Sequence, residues 1–326
     1  MNRTTAAMPV LQPGARAHIV APASAPRQAA RYTAGVQALQ REWTLIEAYA
    51  PSSPHGYLSM PDAERAAQLQ RALTAPGVEA VLCARGGYGT MRLLPHLDWN
   101  AMARATPRWI VGYSDITALQ WACWTHLRWP SLSGPVVTEW TQLPAAMRAE
   151  VFRSTDPAPY TPAWHGHPPP TPWTTGTARG PLLGGTLSVL TRLLGTPHMP
   201  DLTGAILLLE DVQEPPYAVD RMLMHLELAG VLDDLAGVLL GQFSVPDVVR
   251  QPTLSMDTVL RDYFADRPYP VLAEVPYGHL MPRCIWPMGV PVRLDTSTPA
   301  APVVCYPDDR CPEAMGDTEP PAESQN

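Results

Sequence analysis

Residues 108–123 read RWIVGYSDITALQWAC, and the fold turns on how this stretch divides. Trp109 to Val111 form an apolar, β-like run, Gly112 interrupts it, and Ser114-Asp115 open an amphipathic stretch. That pattern predicts a strand, a tight turn and a helix. The same alternation runs upstream. AHIVAPAS (17–24) reads as a strand ending in small residues, PRQAARYTAGVQALQREW (26–43) as a helix and TLIEAYA (44–50) as a strand. PDAERAAQLQRALTAPG (61–77) is a well-marked helix: Pro61 opens it, Asp62 and Glu64 suit the positive end of its dipole, and Pro76-Gly77 close it. VEAVLCARGG (78–87) is a strand and YGTMRLLPHLDW (88–99) a helix interrupted by Pro95. Strands alternating with helices imply a mostly parallel, Rossmann-like sheet with helices on its faces. Ligands in such sheets sit beyond the carboxyl ends of the strands, where ARGGYG and GYSD fall.

The pattern changes at TDPAPYTPAWHGHPPPTPWTTGT (155–177), which reads as a proline-rich linker. The chain therefore divides into an N-terminal domain (1–154), this linker, a C-terminal mixed α/β, β-rich domain (178–308) and an acidic, aperiodic tail (309–326) expected to be disordered. In the second domain GPLLGGTLSVLTRLLGTP (180–197) suggests a glycine turn followed by a helix. GAILLLEDV (204–212) reads as a buried strand and AVDRMLMHLELAG (218–230) as a helix. LAGVLLGQFS and PVLAEVPYGHLMPRC are further strands with loops, and PMGVPVRLDTS and APVVCY suggest terminal β-structure.

Composition narrows the function classes. Hydrophobic residues make up 46% and charged residues only 16%, and the formal net charge is −7 with no lysine-rich run. Nucleic acid and anionic membrane surfaces are thereby disfavoured as partners. No apolar run approaches the roughly 18 residues of a membrane span. The opening MNRTTAAMPVLQPGARAHIV lacks a signal-peptide core, so a cytoplasmic place is expected. Five cysteines, Cys83, Cys123, Cys284, Cys305 and Cys311, are widely spaced without CxxC, which fits reduced thiols.

Several residues carry candidate chemistry. Ser114 at a helix start is either a cap for a free backbone N–H or a nucleophile lifted on a sharp turn, although Ile116 breaks the G-x-S-x-G pattern. Gly86, Gly87 and Gly89 after a strand suit a plain turn or an oxyanion hole; a phosphate cradle would lack the lysine of a P-loop. Among the histidines, His165 and His167 lie in the linker, His225 in a helix and His18 in a strand. His279 stands in a Gly-flanked loop just after a strand, where catalytic groups concentrate. Glu210 ends the apolar run AILLLE, so its charge needs a partner: a salt bridge, a cap, or an imidazole it orients. No HExxH occurs, and His165-Gly166-His167 lacks a third ligand, so zinc is not expected.

Taken in order, ARGGYGTMRLLPHLDW, VGYSDITAL, GGTLSVLTRLLGTP, LLLEDVQEPPYAVDRMLMHLELAG and VPYGHLMP resemble the L,D-carboxypeptidases of serine peptidase family S66. IVAPAS and GYLSMPDAERAAQLQRAL share the resemblance, which spans about residues 12–300. It implies a triad of Ser114 as nucleophile, Glu210 as acid and His279 as base. It also implies an oxyanion hole from the backbone N–H of Asp115 with that of Gly86 or Gly87. The site would lie between two domains, in a dimer, with no metal or organic cofactor. The implied reaction is hydrolysis of the L,D-bond before the terminal D-alanine of a murein tetrapeptide. Arg85, beside the glycine loop, either forks onto the substrate carboxylate or braces the loop. Two departures concern the cleft: GGTL with Thr186 stands where members commonly show GGNL, and SGPV (133–136) where HGPM is frequent. The family's self-immunity branch, which cleaves peptide-nucleotide conjugates of the microcin C type, is the near alternative. It would need an aromatic surface, for which Trp140, Trp164 and Trp173 are candidates. A non-catalytic muropeptide-binding protein is the alternative from another class.

Overall fold

The computed structural model describes residues 4–51, 54–248, 252–298 and 302–306 of the 326-residue chain. The first sheet follows the expected alternation: β1 (Arg16–Val20), α1 (Ala29–Leu39), β2 (Thr44–Glu47), α2 (Asp62–Thr74), β3 (Ala80–Cys83), α3 (Trp99–Arg104), β4 (Trp109–Gly112), α4 (Thr117–Leu127) and β5 (Ser131–Ser133). The segment Thr90–His96, which contains Pro95, is a 3-10 helix, because proline cannot donate the bond that an α-helix requires there. β2, β1, β3, β4 and β5 lie side by side and parallel. β3 and β4 are buried throughout, as befits strands covered by helices on both faces. One expectation fails here. α4 is not amphipathic: nine of its eleven residues are buried, so it is an interior helix.

After α5 (Ala145–Arg153) the chain builds the second sheet. It comprises β6 (Thr171–Thr174), β7 (Thr177–Thr186), β8 (Ile206–Asp211), β9 (Gly237–Phe243), β10 (Val271–Ala273), β12 (Pro291–Asp295) and β13 (Val303–Cys305). α6 (Leu187–Leu190), α7 (Pro216–Leu228) and α8 (Met256–Phe264) accompany it. Its centre, β7 to β10, is parallel, and β6, β12 and β13 add antiparallel edges. The remaining strand, β11 (Trp286–Met288), crosses back and pairs antiparallel with β5, at the end of the first sheet.

Other expectations are corrected by packing. The expected glycine turn at Gly184-Gly185 is the end of the ten-residue strand β7. These glycines serve close approach: a Cβ on Gly184 would fall 2.0 Å from the Leu208 carbonyl oxygen, and one on Gly185 2.4 Å from Thr117 Oγ1. The proline-rich stretch 155–177 supplies β6, with Pro172 on an edge strand, where a missing donor is tolerated. Cys83, Cys123 and Cys284 are free and buried, but Cys305, at the end of β13, is disulfide-bonded. An odd count never excluded a single bridge, and cysteine usage therefore does not argue for a reducing compartment. The tail 309–326 lies outside the described residues. Among the described residues no helix is long and apolar enough to cross a membrane.

Candidate active site

After β4 the chain turns sharply. Tyr113 is extended, and Ser114 then adopts the left-handed region at φ 63° before the chain enters α4. A non-glycine residue there costs on the order of 1–3 kcal/mol, which surrounding structure must hold. Asp115 supplies part of that hold: its buried carboxylate accepts the Thr90 N–H at 2.8 Å, tying the turn to the glycine loop. Burial raises the Asp115 carboxyl above the usual range, against the opposing Thr90 bonds. Neither the single turn 114–116 nor α4 has a side-chain cap. Ser114 is therefore not a cap, and its side chain lines a cavity of about 690 Å3.

His279 lines the same cavity from the loop after β10. Its Nδ1 lies 2.8 Å from Glu210 Oε2, and Glu210 is 1% exposed. The register of β7 on β8 sets Thr186 beside Glu210, and the Thr186 hydroxyl donates to Glu210 Oε1 at 2.5 Å. Each carboxylate oxygen thus has a partner. Gly278 permits the approach: at φ 122°, a Cβ there would lie 2.8 Å from Glu210 Oε2. Thr186 appears in the sequence only as a departure from GGNL; its position at the end of a strand neighbouring AILLLE was the available signal.

The glycine loop forms the opposite wall. Gly86 and Gly87 line the cavity, and a Cβ on Gly86 would lie 3.0 Å from Ser114 Cβ. Arg65, fully buried on α2, donates to the Gly89 carbonyl at 3.0 Å and stiffens the loop. Arg85 lines the cavity, and its Nη1 donates to the Ala25 carbonyl at 3.0 Å, which ties the glycine loop to the segment after β1. Arg27 and Arg31 add positive charge to the wall. Arg31 is engaged by the Thr138 carbonyl and Gln142. Burial and the neighbouring Arg27 charge lower the Arg85 pKa.

Sequence reasoning missed a polar cluster beside the imidazole. The Tyr113 hydroxyl donates to Glu139 Oε1 at 2.6 Å, and Arg283 Nη2 donates to Glu139 Oε2 at 2.7 Å. Burial pushes the Glu139 carboxyl up, but the Arg283 charge and the hydrogen bonds outweigh it and hold it below the usual range. No local motif marks this cluster, because Glu139 and Arg283 lie far apart in the chain. Three other histidines are engaged elsewhere: His165 pairs with Glu150 at 2.7 Å, His167 with the Pro282 carbonyl at 2.9 Å, and His18 with Glu47 at 3.7 Å. Among the described residues no group of three or more His, Cys, Asp or Glu could hold a metal ion. The three tryptophans considered for base stacking do not line the cavity. Trp140 is 1% exposed, Trp164 packs on a core cluster and Trp173 lies under Arg261.

An imidazole on a buried carboxylate, sharing a cavity with a hydroxyl on a left-handed turn, is the constellation acyl-transfer enzymes use. Comparison with known proteins makes the class specific. Residues 17–134 match the LD-carboxypeptidase N-terminal domain and residues 179–294 the LD-carboxypeptidase C-terminal domain. The chain belongs to the LD-carboxypeptidase family, peptidase family S66, and is a peptidase by that membership. It is 41% identical over 296 residues to a "putative carboxypeptidase" of Streptomyces coelicolor, covering 88% of this chain and 93% of that one. It is 34% identical to the murein tetrapeptide carboxypeptidase of Pseudomonas aeruginosa, over 72% of this chain and 78% of the relative. The microcin C7 self-immunity protein of Escherichia coli is 25% identical, over 81% and 85%. The crystal structure of muramoyltetrapeptide carboxypeptidase from Oxalobacter formigenes superposes with a TM-score of 0.76 at 27% identity, over 89% of this chain and 98% of that one.

Proposed function

We propose that the chain is a serine carboxypeptidase that hydrolyses the L,D-peptide bond before the terminal D-alanine of murein tetrapeptides. The observation that carries this reading is the His279–Glu210 pair in the cavity that Ser114 lines on its left-handed turn. In this mechanism His279 Nε2 takes the Ser114 proton as Oγ attacks the scissile carbonyl. Glu210 holds Nδ1–H and stabilises the imidazolium. The backbone N–H of Asp115, with that of Gly86 or Gly87, receives the oxyanion, each donor contributing about 3 kcal/mol. His279 then protonates the departing D-alanine, and water releases the acyl group by the reverse path. Arg85 and Arg27 face the substrate's carboxylates. The same reading has the enzyme act in the cytoplasm, as a homodimer, in peptidoglycan recycling.

The cavity wall supports a peptide over a peptide-nucleotide conjugate. Besides His279, its aromatic side chain among the described residues is Tyr113, whose hydroxyl is committed to Glu139. The test is D-alanine release from a murein tetrapeptide by the protein and by Ser114→Ala, with an aminoacyl-nucleotide conjugate in parallel. Release by the wild type, reduced on the order of 10⁴- to 10⁶-fold in Ser114→Ala, is expected. Cleavage of the conjugate alone would assign the self-immunity activity. Binding without turnover of either would make the protein a muropeptide sensor.

A further inference from the structure

The loop that carries His279 is tied at both ends to the half of the molecule that carries Ser114. On one side of His279, Tyr277 Oη lies 2.7 Å from Ser133 Oγ, at the end of β5. On the other side, Arg283 reaches Glu139 at 2.7 Å and stacks its guanidinium 4.0 Å above the Tyr113 ring. Tyr113 immediately precedes Ser114, donates to the same Glu139, and holds its ring 5.0 Å from the imidazole of His279. Arg283 is 2% exposed, and both Glu139 oxygens are occupied, Oε2 also accepting the Val136 N–H at 3.3 Å. Two charges withdrawn from water in this way bring little net stability, since an apolar pair of similar volume often serves as well. What this cluster does provide is geometry. It joins the residue before the nucleophile to the loop of the base through a planar, stacked fork that few other side chains could reproduce.

We infer that Glu139 and Arg283 are positioning residues that act through Tyr113 to set the His279 imidazole against the Ser114 hydroxyl. The inference rests on Ser114 being the nucleophile proposed above. It concerns the approach of base to nucleophile, so proton transfer is slowed more than binding is weakened, Glu139 and Tyr113 also lining the cavity. Removing one charge alone would strand the other in the interior, so the decisive variant is the double E139Q/R283M, which neutralises both.

Three proteins are compared with the wild type: E139Q/R283M, Tyr113→Phe and Arg283→Lys. The readouts are thermal melting, kcat and KM for D-alanine release, and the rate at which a fluorophosphonate labels Ser114. A misplacement approaching 1 Å costs about 100-fold, so kcat and the labelling rate of the double variant should fall about 30- to 100-fold. KM should stay within about threefold, because the placement of the base is disturbed more than binding. Tyr113→Phe, which keeps the ring and loses one bond, should fall about tenfold, and Arg283→Lys should lie between it and the wild type. A folded E139Q/R283M or Tyr113→Phe protein that labels at the wild-type rate overturns the inference, as does a loss that only tracks the unfolded fraction. If the double variant does not fold, Tyr113→Phe decides. Labelling reads the hydroxyl and not the peptide: normal labelling without D-alanine release defeats the murein reading alone. A wild type that does not label at Ser114 defeats both.

Discussion

Replacing Gly86 by alanine adds one methyl group to the cavity wall directly against Ser114. Its carbon would stand 3.0 Å from Ser114 Cβ, 3.2 Å from Ser114 Oγ and 3.4 Å from the Tyr113 carbonyl oxygen. Carbon atoms attract best at about 3.5–4.0 Å, so at least about half an ångström must be found. Gly86 is not among the residues with positive φ, so alanine strains no backbone there and the contact alone is tested. Gly87, at φ 115° with Ser24 Oγ 2.5 Å from its would-be Cβ, offers no such clean experiment. Ser114 cannot yield along its backbone, because its left-handed turn is pinned by the Asp115–Thr90 bond. The displacement therefore falls on the hydroxyl and on the Gly86 N–H that would face the oxyanion. Overpacking of this kind costs about 1–3 kcal/mol in stability, which a melting curve reads. The larger effect is kinetic: kcat for D-alanine release and the fluorophosphonate labelling rate should each fall about 10- to 100-fold. A folded Gly86→Ala protein that labels Ser114 at the wild-type rate would refute the view that this glycine exists to make room for the nucleophile.

Thr186→Val removes the donor to Glu210 Oε1 while keeping the shape, leaving a buried oxygen unpartnered. The cost should be about 1–3 kcal/mol in a urea titration and a reduced kcat, both largely restored by Thr186→Ser. Asp211 gives a pH signature: burial pushes its carboxyl from 3.8 up to about 6, against bonds from Val212 and Ser188, with the Glu210 charge adding to the rise. The folded state then holds a proton that the unfolded chain releases first. This group favours folding at low pH, and stability falls as pH rises through the window from 3.8 to about 6. A rise from 3.8 to about 6 corresponds to about 3 kcal/mol. Melting curves of the wild type and Asp211→Asn should lie closest near pH 3.8 and separate as pH rises toward about 6, the wild type losing stability that the variant keeps, and parallel curves would count against the shift.

The legible part of the fold was local. Apolar runs between helical spacings marked β1 to α4, and Pro61, Asp62 and Pro76-Gly77 bounded α2 closely. What escaped was set by partners distant in the chain. Gly184-Gly185 read as a turn because glycine permits one, whereas the cause is the backbone of β8 on one side and Thr117 on the other. β6 was hidden in proline-rich sequence because only its pairing with β10 makes it a strand. β11 carries no local sign that it belongs to the first sheet. The candidate site divides likewise. Ser114, Glu210 and His279 were marked by strand-end context and by ordered motifs, but Thr186, Tyr113, Glu139 and Arg283 acquire their roles only through contacts made by the folded chain.

Those contacts bear on how the site works. A candidate site divided between two halves invites the idea of a hinge that closes on substrate, since interdomain interfaces are commonly mobile. The interior of this molecule argues otherwise. One core cluster runs without a break from Leu69, Leu119 and Trp121 of the first half to Leu183, Leu207 and Leu223 of the second. α4, which begins just after Ser114, lies directly on β7: Trp121 Nε1 donates to the Gly184 carbonyl at 2.8 Å, and Thr117 Oγ1 accepts the Thr186 N–H at 3.3 Å. Thr186 in turn holds Glu210, which holds His279. Ser114 and His279 are thus joined through a few buried contacts, and swinging the halves apart would expose that shared core. The relative placement of Ser114 and His279 is accordingly set by the buried core, whereas Arg27 and Gln213 line the cavity from exposed positions at its rim.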